Sequence, residues 1–182
     1  MNRVMIVGGP GSGKSTLAVA LGKATGLPVF HMDMIHWKPG WVERDKKEKV
    51  RLVGQIEAAD KWILEGGLSV TYANRATHAD TLIWLDLPLP LRLLRLIRRR
   101  WQYRGGATRP DLPENCPEKL DWEFLHWTLT ASASTRQKIE RTVSNAGCLK
   151  VYHLRTPSQV KNFLIGIVGK TKQPSTNLGL ET

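Results

Sequence analysis

Residues 8–15 read Gly-Gly-Pro-Gly-Ser-Gly-Lys-Ser, and this octapeptide decides the fold. It follows the apolar run Val4–Val7 and precedes a stretch with apolar residues at helical spacing, from Leu17 to Ala24. A glycine-rich turn between a strand and a helix, ending in Lys and Ser at these offsets, has the pattern of a P-loop. Gly8 and Gly13 allow the backbone to turn tightly, so that successive N–H groups converge on phosphate oxygens.

The side chains of this loop predict a site for ATP and Mg²⁺. Lys14 is placed to reach the β- and γ-phosphates, and the hydroxyl of Ser15 to hold Mg²⁺. The helix beginning at Ser15 adds its positive N-terminal end to the same anion site. The alternative, a glycine-rich turn that binds nothing, does not explain this lysine and serine. The expected nucleotide-binding residues are Gly8, Gly9, Pro10, Gly11, Ser12, Gly13, Lys14, Ser15 and Thr16.

Length and composition predict one soluble globular domain. The chain has 182 residues, of which 41% are hydrophobic, and its longest apolar stretches are the size of strands and too short to span a membrane. Residues 1–7 lead directly into a predicted core strand and leave no room for a signal peptide, so a cytoplasmic location is expected. Cys116 and Cys148 lack the spacing of a disulfide framework or a four-cysteine zinc site, and we expect both to be ordinary thiols.

The chain carries a formal net charge of +11 at pH 7, which is compatible with a nucleic acid, an anionic surface or a polyphosphate as partner. The placement of the charge is more informative than its size. One segment holds Arg92, Arg95, Arg98, Arg99, Arg100, Arg104 and Arg109. This concentration indicates one dedicated anion site rather than a basic coating of the whole surface.

Short apolar strands alternate with helical stretches along the chain. The predicted strands are 3–7, 29–33, 61–64, 81–85 and 149–154, and the helices after the P-loop helix are about 43–59, 89–103, 117–145 and 157–169. Strands that are apolar on successive positions are typical of parallel sheets covered on both faces. The predicted fold class is therefore α/β, a P-loop NTPase three-layer sandwich of nucleotide kinase-like type with a five-stranded parallel sheet and a short lid. The predicted organisation is a domain over 1–169, with an acceptor region at about 34–60 and a lid at about 101–120, and a flexible tail at 170–182.

Three acidic residues follow predicted strands: Asp33, Glu65 and Asp86. The carboxyl ends of parallel strands share one edge, so all three are expected to face the P-loop. Asp86 ends the run Leu-Ile-Trp-Leu-Asp and is the candidate Walker-B-like carboxylate that holds Mg²⁺ together with Ser15. The absence of a second acid after Asp86 disfavours a motor ATPase, and the absence of an N-K-x-D sequence disfavours a GTPase. Each acid has a structural alternative, which is to cap the helix that follows it.

The segment 88–104 predicts a helix on which Arg92, Arg95 and Arg99 project from a common face. Arginines packed this densely repel one another, so we expect them to close on phosphate oxygens during transfer. The alternative is a solvated basic face. The following Gly- and Pro-rich stretch predicts a lid hinged on Gly105 and Gly106.

Several longer blocks resemble the FlaR-type topology-modulation proteins, over roughly residues 3–165. Besides the P-loop, these blocks are Phe30-His31-Met32-Asp33 with Trp37-Lys38-Pro39-Gly40-Trp41, Trp62-Ile63-Leu64-Glu65-Gly66, and Arg109-Pro110-Asp111 leading to Cys116-Pro117-Glu118-Lys119 with Asp121 and Phe124. This resemblance implies a member of the adenylate kinase-like P-loop kinases. It implies that Glu65-Gly66 occupies the place of an Asp-Gly pair common in these kinases, and that Arg95 and Arg99 bind the transferring phosphate. The acceptor region lacks the nucleoside-monophosphate motifs of adenylate kinases.

The function predicted from the sequence is an ATP- and Mg²⁺-dependent phosphotransferase acting on a nucleotide or another small-molecule acceptor. Its predicted catalytic residues are Lys14, Asp33, Arg95 and Arg99, with Asp33 orienting or deprotonating the acceptor. The candidate acceptor-binding residues are Asp33, Trp37, Glu65, Gly66, Arg109 and Arg136. The alternative function is a DNA-binding, topology-modulating regulator that uses its P-loop as a nucleotide switch.

Two groups of aromatic residues near the predicted cleft have open roles. Trp37, Trp41 and Trp101 either stack on a base or sugar or belong to the scaffold. His31 and His36 flank Asp33 in sequence but have no third residue at metal-ligand spacing, so we expect polar cleft residues rather than a zinc site.

Overall fold

The computed structural model of the protein describes residues 1–104, 109–117, 122–145 and 147–171. In chain order the strands are β1 (Arg3–Gly8), β2 (Val29–His31), β3 (Trp37–Lys38), β4 (Val42–Glu43), β5 (Trp62–Glu65), β6 (Thr81–Leu85) and β7 (Lys150–Leu154). The α-helices are α1 (Lys14–Thr25), α2 (Met32–His36), α3 (Lys46–Glu57), α4 (Tyr72–His78), α5 (Leu89–Gln102), α6 (Trp122–Ser144) and α7 (Pro157–Thr171), and a 3-10 turn spans Ser69–Thr71. None of these helices is both long and apolar enough to cross a lipid bilayer.

Five of the strands form one parallel sheet in the order β2-β5-β1-β6-β7, and β3 and β4 form a separate antiparallel pair. The P-loop strand β1 is the central strand, and the chain continues from it to both halves of the sheet. In open α/β sheets such a switch point creates a crevice at the carboxyl ends of the strands, where ligands bind. The topology therefore places the crevice at the P-loop.

The sheet is buried on both faces because its strands are apolar at successive positions. Along β1, Met5 and Val7 face one core with α3, α4 and α6, whereas Val4 and Ile6 face a second core with α1 and α7. All four side chains have 0% exposure. This alternation follows from the two-residue period of a strand, and it confirms the predicted α/β sandwich with a five-stranded parallel sheet.

The region after β2 differs from the sequence prediction of a strand over 29–33. The strand ends at His31, and residues Met32–His36 form the helix α2, on which Met32 and Ile35 are buried. Apolar residues three positions apart lie on one face of a helix, and this short signal overrides the strand pattern. Asp33 therefore lies in the first turn of a helix and not at the end of a strand.

Other element bounds differ from the predictions for local reasons. The helix predicted over 43–59 begins at Lys46, because Asp45 caps it by accepting hydrogen bonds from the backbone N–H groups of Lys47 (2.8 Å) and Glu48 (3.3 Å). The sequence did not predict the β3–β4 pair, the 3-10 turn or α4. Several positions used in the predictions lie outside the described residues: Gly105, Gly106, Glu118, Lys119, Asp121 and the tail from 172 to 182.

Candidate active site at the carboxyl edge of the sheet

The P-loop turns closely against its neighbours at two of its glycines. Gly8 has a φ of +153°, and a Cβ at this position would lie 2.5 Å from the carbonyl oxygen of Leu85 on β6. Gly13 has a φ of +93° and occupies the N-cap position of α1. Residues with a side chain rarely adopt these backbone conformations, so the loop requires glycine at both positions. The resulting turn points the N-terminus of α1 at the crevice, as the sequence predicts.

Lys14 is the first residue of α1 and lies half-buried beside the P-loop backbone. Its Nζ donates a hydrogen bond to the carbonyl oxygen of Gly9 (3.2 Å). Burial lowers the pKa of Lys14, while the carboxylates of Glu65 and Asp33 oppose that shift and the guanidinium of Arg99 adds to it. The structure therefore brings the predicted residues Lys14, Asp33 and Arg99 close to one another and to Glu65.

The hydroxyl of Ser15 lies between two buried carboxylates. Ser15 Oγ donates to Glu65 Oε1 (3.0 Å), and the carboxylate of Asp111 lies close to the same serine. Glu65 is 2% exposed and Asp111 is 7% exposed. Serine hydroxyl and carboxylate oxygens are the hard donors that Mg²⁺ prefers, so Ser15, Glu65 and Asp111 fit this ion.

Two basic side chains hold these carboxylates in place. His31 Nδ1 lies 2.8 Å from Glu65 Oε1, and Arg109 Nε donates to Asp111 Oδ1 (2.9 Å) while its Nη2 bonds to the other oxygen. Burial disfavours the charged imidazole, but the hydrogen bond and charge of Glu65 outweigh it and raise the pKa of His31. Burial likewise opposes ionisation of Asp111, but Arg109 outweighs it and lowers the pKa of that carboxyl.

The structure does not bring Asp86 together with Ser15, although the sequence predicted them as a metal-binding pair. Asp86 Oδ2 instead lies 2.9 Å from His153 Nε2 and 3.2 Å from Arg136 Nη2. The reason is the strand order: β5 and β6 flank β1 on opposite sides, so the acids that follow them approach the P-loop from opposite directions. The carboxylates beside Ser15 are those of Glu65 and Asp111.

Asp33 faces the P-loop from α2, as predicted, although from a helix. Burial raises the pKa of Asp33, and the charge of Glu65 adds to this shift, whereas Lys14 and Arg109 oppose it. The predicted acceptor residue Gly66 explains how α2 comes so close. With its φ of +113°, a Cβ on Gly66 would lie 2.5 Å from the Cβ of Met32. Glycine therefore lets α2 pack against the end of β5 and positions Asp33.

Three of the five arginines of α5, Arg92, Arg95 and Arg99, interact with the P-loop. Arg95 Nη1 donates to the carbonyl oxygen of Ser12 (3.1 Å), and Arg92 Nε donates to that of Pro10 (3.0 Å). The guanidinium of Arg92 also lies against Gly9, where a Cβ would lie 2.5 Å from Arg92 Cζ. The helix thus supports the loop backbone with two guanidiniums and contributes the charge of Arg99 beside Lys14.

The remaining predicted residues are more widely distributed. Arg136 bonds to Asp86 and lies over the ring of Trp84 (5.7 Å to its centroid), where it lines a cavity of about 490 Å³ together with Gly9, Arg92 and Arg155. Trp37 packs edge-on against Trp41 (5.2 Å between ring centroids) near the acceptor region, whereas the Trp101 side chain is largely exposed. The structure therefore separates Arg136 and Trp101 from the group around Asp33.

Residues 109–117, which we call the bridging segment, join the P-loop to the β3–β4 pair. At one end, Asp111 lies close to Ser15 of the P-loop. At the other end, the backbone N–H of Trp41 donates to Cys116 Sγ (3.2 Å) and that of Gly40 donates to the carbonyl oxygen of Glu114 (3.3 Å). Cys116 is fully buried, consistent with the predicted ordinary thiol. The bridging segment thus crosses from the phosphate side of the crevice to the acceptor region.

Residues 4–111, more than half of the chain, match the AAA domain family. The protein belongs to this AAA domain family. A curated relative of this AAA domain protein is the uncharacterized protein YqaC of Bacillus subtilis strain 168, which is 27% identical over 151 residues, covering 80% of the chain and 84% of the relative.

The solved structures that are similar to this AAA domain protein include several kinases. A sugar kinase from Janibacter sp. HTCC2649 is 15% identical (TM-score 0.54) and aligns over 96% of this chain and 99% of its own. The shikimate kinase from Acinetobacter baumannii in complex with shikimate is 13% identical (TM-score 0.54) and aligns over 95% of this chain and 97% of its own. The deoxyadenosine kinase from M. mycoides with bound dCTP is 14% identical (TM-score 0.54) and aligns over 91% of this chain and 98% of its own. The AAA domain protein therefore has the fold of P-loop kinases, while the narrower FlaR-type assignment stays a prediction.

The His31–Glu65 pair predicts a pH-dependent contribution to stability. A base whose folded-state pKa is raised stabilises the fold below its unfolded-state pKa of about 6.5, and this contribution is lost as pH rises through the folded-state value. We expect His31→Asn to lower the free energy of unfolding more at about pH 6 than at about pH 8, measured by urea unfolding.

His36→Asn is the matched control. Burial and the charge of Lys49 lower the pKa of His36, so its protonation opposes folding and its removal should favour the variant at acid pH relative to neutral pH. An equal loss for His31→Asn at both pH values would show that the imidazole of His31 carries no stabilising charge.

Proposed function

We propose that the protein is an ATP- and Mg²⁺-dependent phosphotransferase that moves the γ-phosphoryl group of ATP to a small acceptor. The observation that carries this proposal is the placement of Lys14 and Asp33 in one crevice, together with Arg99. A P-loop lysine binds the phosphates being transferred, and a carboxylate opposite it serves an acceptor group. The fold shared with sugar, shikimate and deoxyadenosine kinases supports the same function.

The residues around the P-loop then have separate roles. The backbone N–H groups of residues 8–16, except at Pro10, which has none, bind the phosphates. Lys14, Arg95 and Arg99 stabilise the negative charge of the transferring group. Ser15 with Glu65 and Asp111 would hold Mg²⁺, which neutralises charge on the phosphate oxygens when it is bound. These assignments follow from the contacts that the crevice residues make with the P-loop and with one another.

Asp33 serves the acceptor. It orients the acceptor hydroxyl for in-line attack and takes its proton as the new O–P bond forms, while the bond from the γ-phosphorus to the bridging oxygen breaks and ADP leaves. The raised pKa of Asp33 brings its basicity closer to that required of a general base near neutral pH. Trp37, Gly66 and Arg109 are the candidate acceptor contacts around it.

A DNA-binding regulator is less well supported, because several of the guanidiniums on which it would depend are engaged within the protein, and only Arg98 and Arg100 among the arginines of α5 are exposed. Arg92 and Arg95 donate to P-loop carbonyls, Arg109 to Asp111, and Arg136 to Asp86. A duplex-binding surface needs guanidiniums directed outward at phosphates.

A screen of ATP consumption tests the proposal. Nucleosides, nucleotides, sugars and small acids are added singly with Mg²⁺ and without DNA, and we expect at least one to stimulate ATP consumption and to appear as a phosphorylated product. Duplex DNA is the comparison. If no small molecule stimulates turnover while the protein binds duplex with an affinity that falls steeply with salt, the regulator replaces the kinase.

A further inference from the structure

Three potential metal ligands from distant parts of the chain meet beside the P-loop. A nitrogen of His31 and carboxylate oxygens of Glu65 and Asp111 all lie within 4.8 Å of one another. They come from the end of β2, the end of β5 and the bridging segment. The hydroxyl of Ser15 adjoins the group through its hydrogen bond to Glu65 and its proximity to Asp111.

The types of donor distinguish this cluster from an ordinary site for Mg²⁺ and nucleotide. Mg²⁺ prefers oxygen ligands, keeps several waters and depends on substrate phosphates for much of its coordination. An imidazole nitrogen with two carboxylates suits divalent first-row transition metals such as Mn²⁺, Co²⁺ and Zn²⁺. The nitrogen of His31 therefore favours a different class of ion.

The protein holds these ligands in place without any bound molecule. Arg109 fixes Asp111 through two hydrogen bonds, and Ser15 and His31 both contact Oε1 of Glu65. Glu65 and Asp111 are almost fully buried, whereas the side chain of His31 is 15% exposed and lies at the open side of the group. Outer contacts that orient ligands in this way are a general feature of metal sites.

We propose that His31, Glu65 and Asp111 bind one divalent first-row transition-metal ion in the absence of nucleotide. The ion joins the bridging segment directly to the carboxyl ends of β2 and β5. The site shares Glu65 and Asp111 with the Mg²⁺ site proposed above, but binding of the transition-metal ion requires neither nucleotide nor acceptor.

Binding of Mn²⁺ to the full chain, prepared without a histidine tag and without nucleotide, tests the site. In mildly alkaline buffer the imidazole is neutral and able to bind a metal. We expect the electron paramagnetic resonance signal of free Mn²⁺ to fall until about one ion is bound per chain, with an excess of Mg²⁺ displacing it poorly. Electron spin echo spectra of the bound ion should show modulation from a ligating ¹⁴N nucleus.

Two variants and one control complete the test. His31→Asn should remove the ¹⁴N modulation and weaken Mn²⁺ binding by at least about tenfold. Asp111→Asn, which changes the bridging segment and leaves both strands intact, should weaken binding and keep the ¹⁴N modulation. His36→Asn, which alters a histidine bonded to Glu43 and Lys49, should change neither measurement.

Two results would overturn the proposal. One is Mn²⁺ that binds stoichiometrically only after ATP is added, and the other is ¹⁴N modulation that persists in His31→Asn. The first result would leave the phosphotransferase function intact, because a kinase that receives its metal with the nucleotide still consumes ATP.

Discussion

Replacing Lys14 by alanine is expected to lower the turnover of phosphoryl transfer by about two orders of magnitude or more. The variant loses the one ammonium that lies within the P-loop, where its Nζ bonds to the carbonyl oxygen of Gly9. Folding stability should hardly change, because burial already lowers the pKa of this lysine and its charge is not what holds the fold. Steady-state ATP consumption with the identified acceptor gives kcat, and thermal unfolding gives the stability.

Lys23→Ala is the matched control for this experiment. Lys23 lies on the same helix α1, and its side chain is exposed. The control should keep the parental kcat. A Lys14→Ala variant that transfers phosphate as fast as the parent would remove this lysine from the catalytic residues.

The second large effect is expected for Asp33→Asn, which should lose about 10²- to 10⁴-fold in the rate of phosphoryl transfer. The amide keeps the size of the side chain but neither takes a proton from an acceptor hydroxyl nor carries a negative charge opposite Lys14. Binding of ATP with Mg²⁺, measured by calorimetry, should stay normal, because Asp33 lies on α2 and not in the P-loop.

The comparison variant is Asp45→Asn. Asp45 caps α3 through its side chain, and asparagine caps helices as well as aspartate, so activity and stability should both be retained. The structural alternative for Asp33 was a capping role, yet the N-terminus of α2 has no side-chain cap hydrogen bond. Near-parental transfer by Asp33→Asn would nevertheless exclude it from catalysis.

The sequence predicted the five-stranded sheet because each strand is a short, continuous apolar run bounded by turn residues. It did not predict α4, whose seven residues complete two turns and bury only Tyr72, Arg75 and Ala76. Such a helix is too short for its period to stand out. The β3 and β4 strands have two residues each and depend on pairing between Trp37 and Glu43 and between Lys38 and Val42, which no local pattern reveals.

Only the residues of the candidate site that belong to a local sequence pattern could be predicted from the sequence. Lys14 follows from its motif, and Glu65 follows from its position at the end of a strand. Asp33 was placed at the same edge of the sheet by a strand predicted over 29–33, although it lies on α2. Asp86 satisfied the same rule but lies on the other side of β1, because a sequence does not specify the order of strands in a sheet. Asp111 was predicted only as part of a family resemblance, and its contact with Ser15 joins residues that are far apart in the chain.

We expect the contacts between the bridging segment and the β3–β4 pair to limit how often an acceptor enters the crevice and its product leaves. Besides the bonds from Gly40 and Trp41 to this segment, Cys116 Sγ donates to the carbonyl oxygen of Lys38 and Trp41 Nε1 donates to that of Pro117. A typical hydrogen bond contributes about 1 kcal/mol, so the form in which the bridging segment has separated from the β3–β4 pair is a minor population at equilibrium. For an acceptor that enters from this side, the rate at which the bridging segment separates from the β3–β4 pair sets an upper limit on the number of catalytic cycles per second.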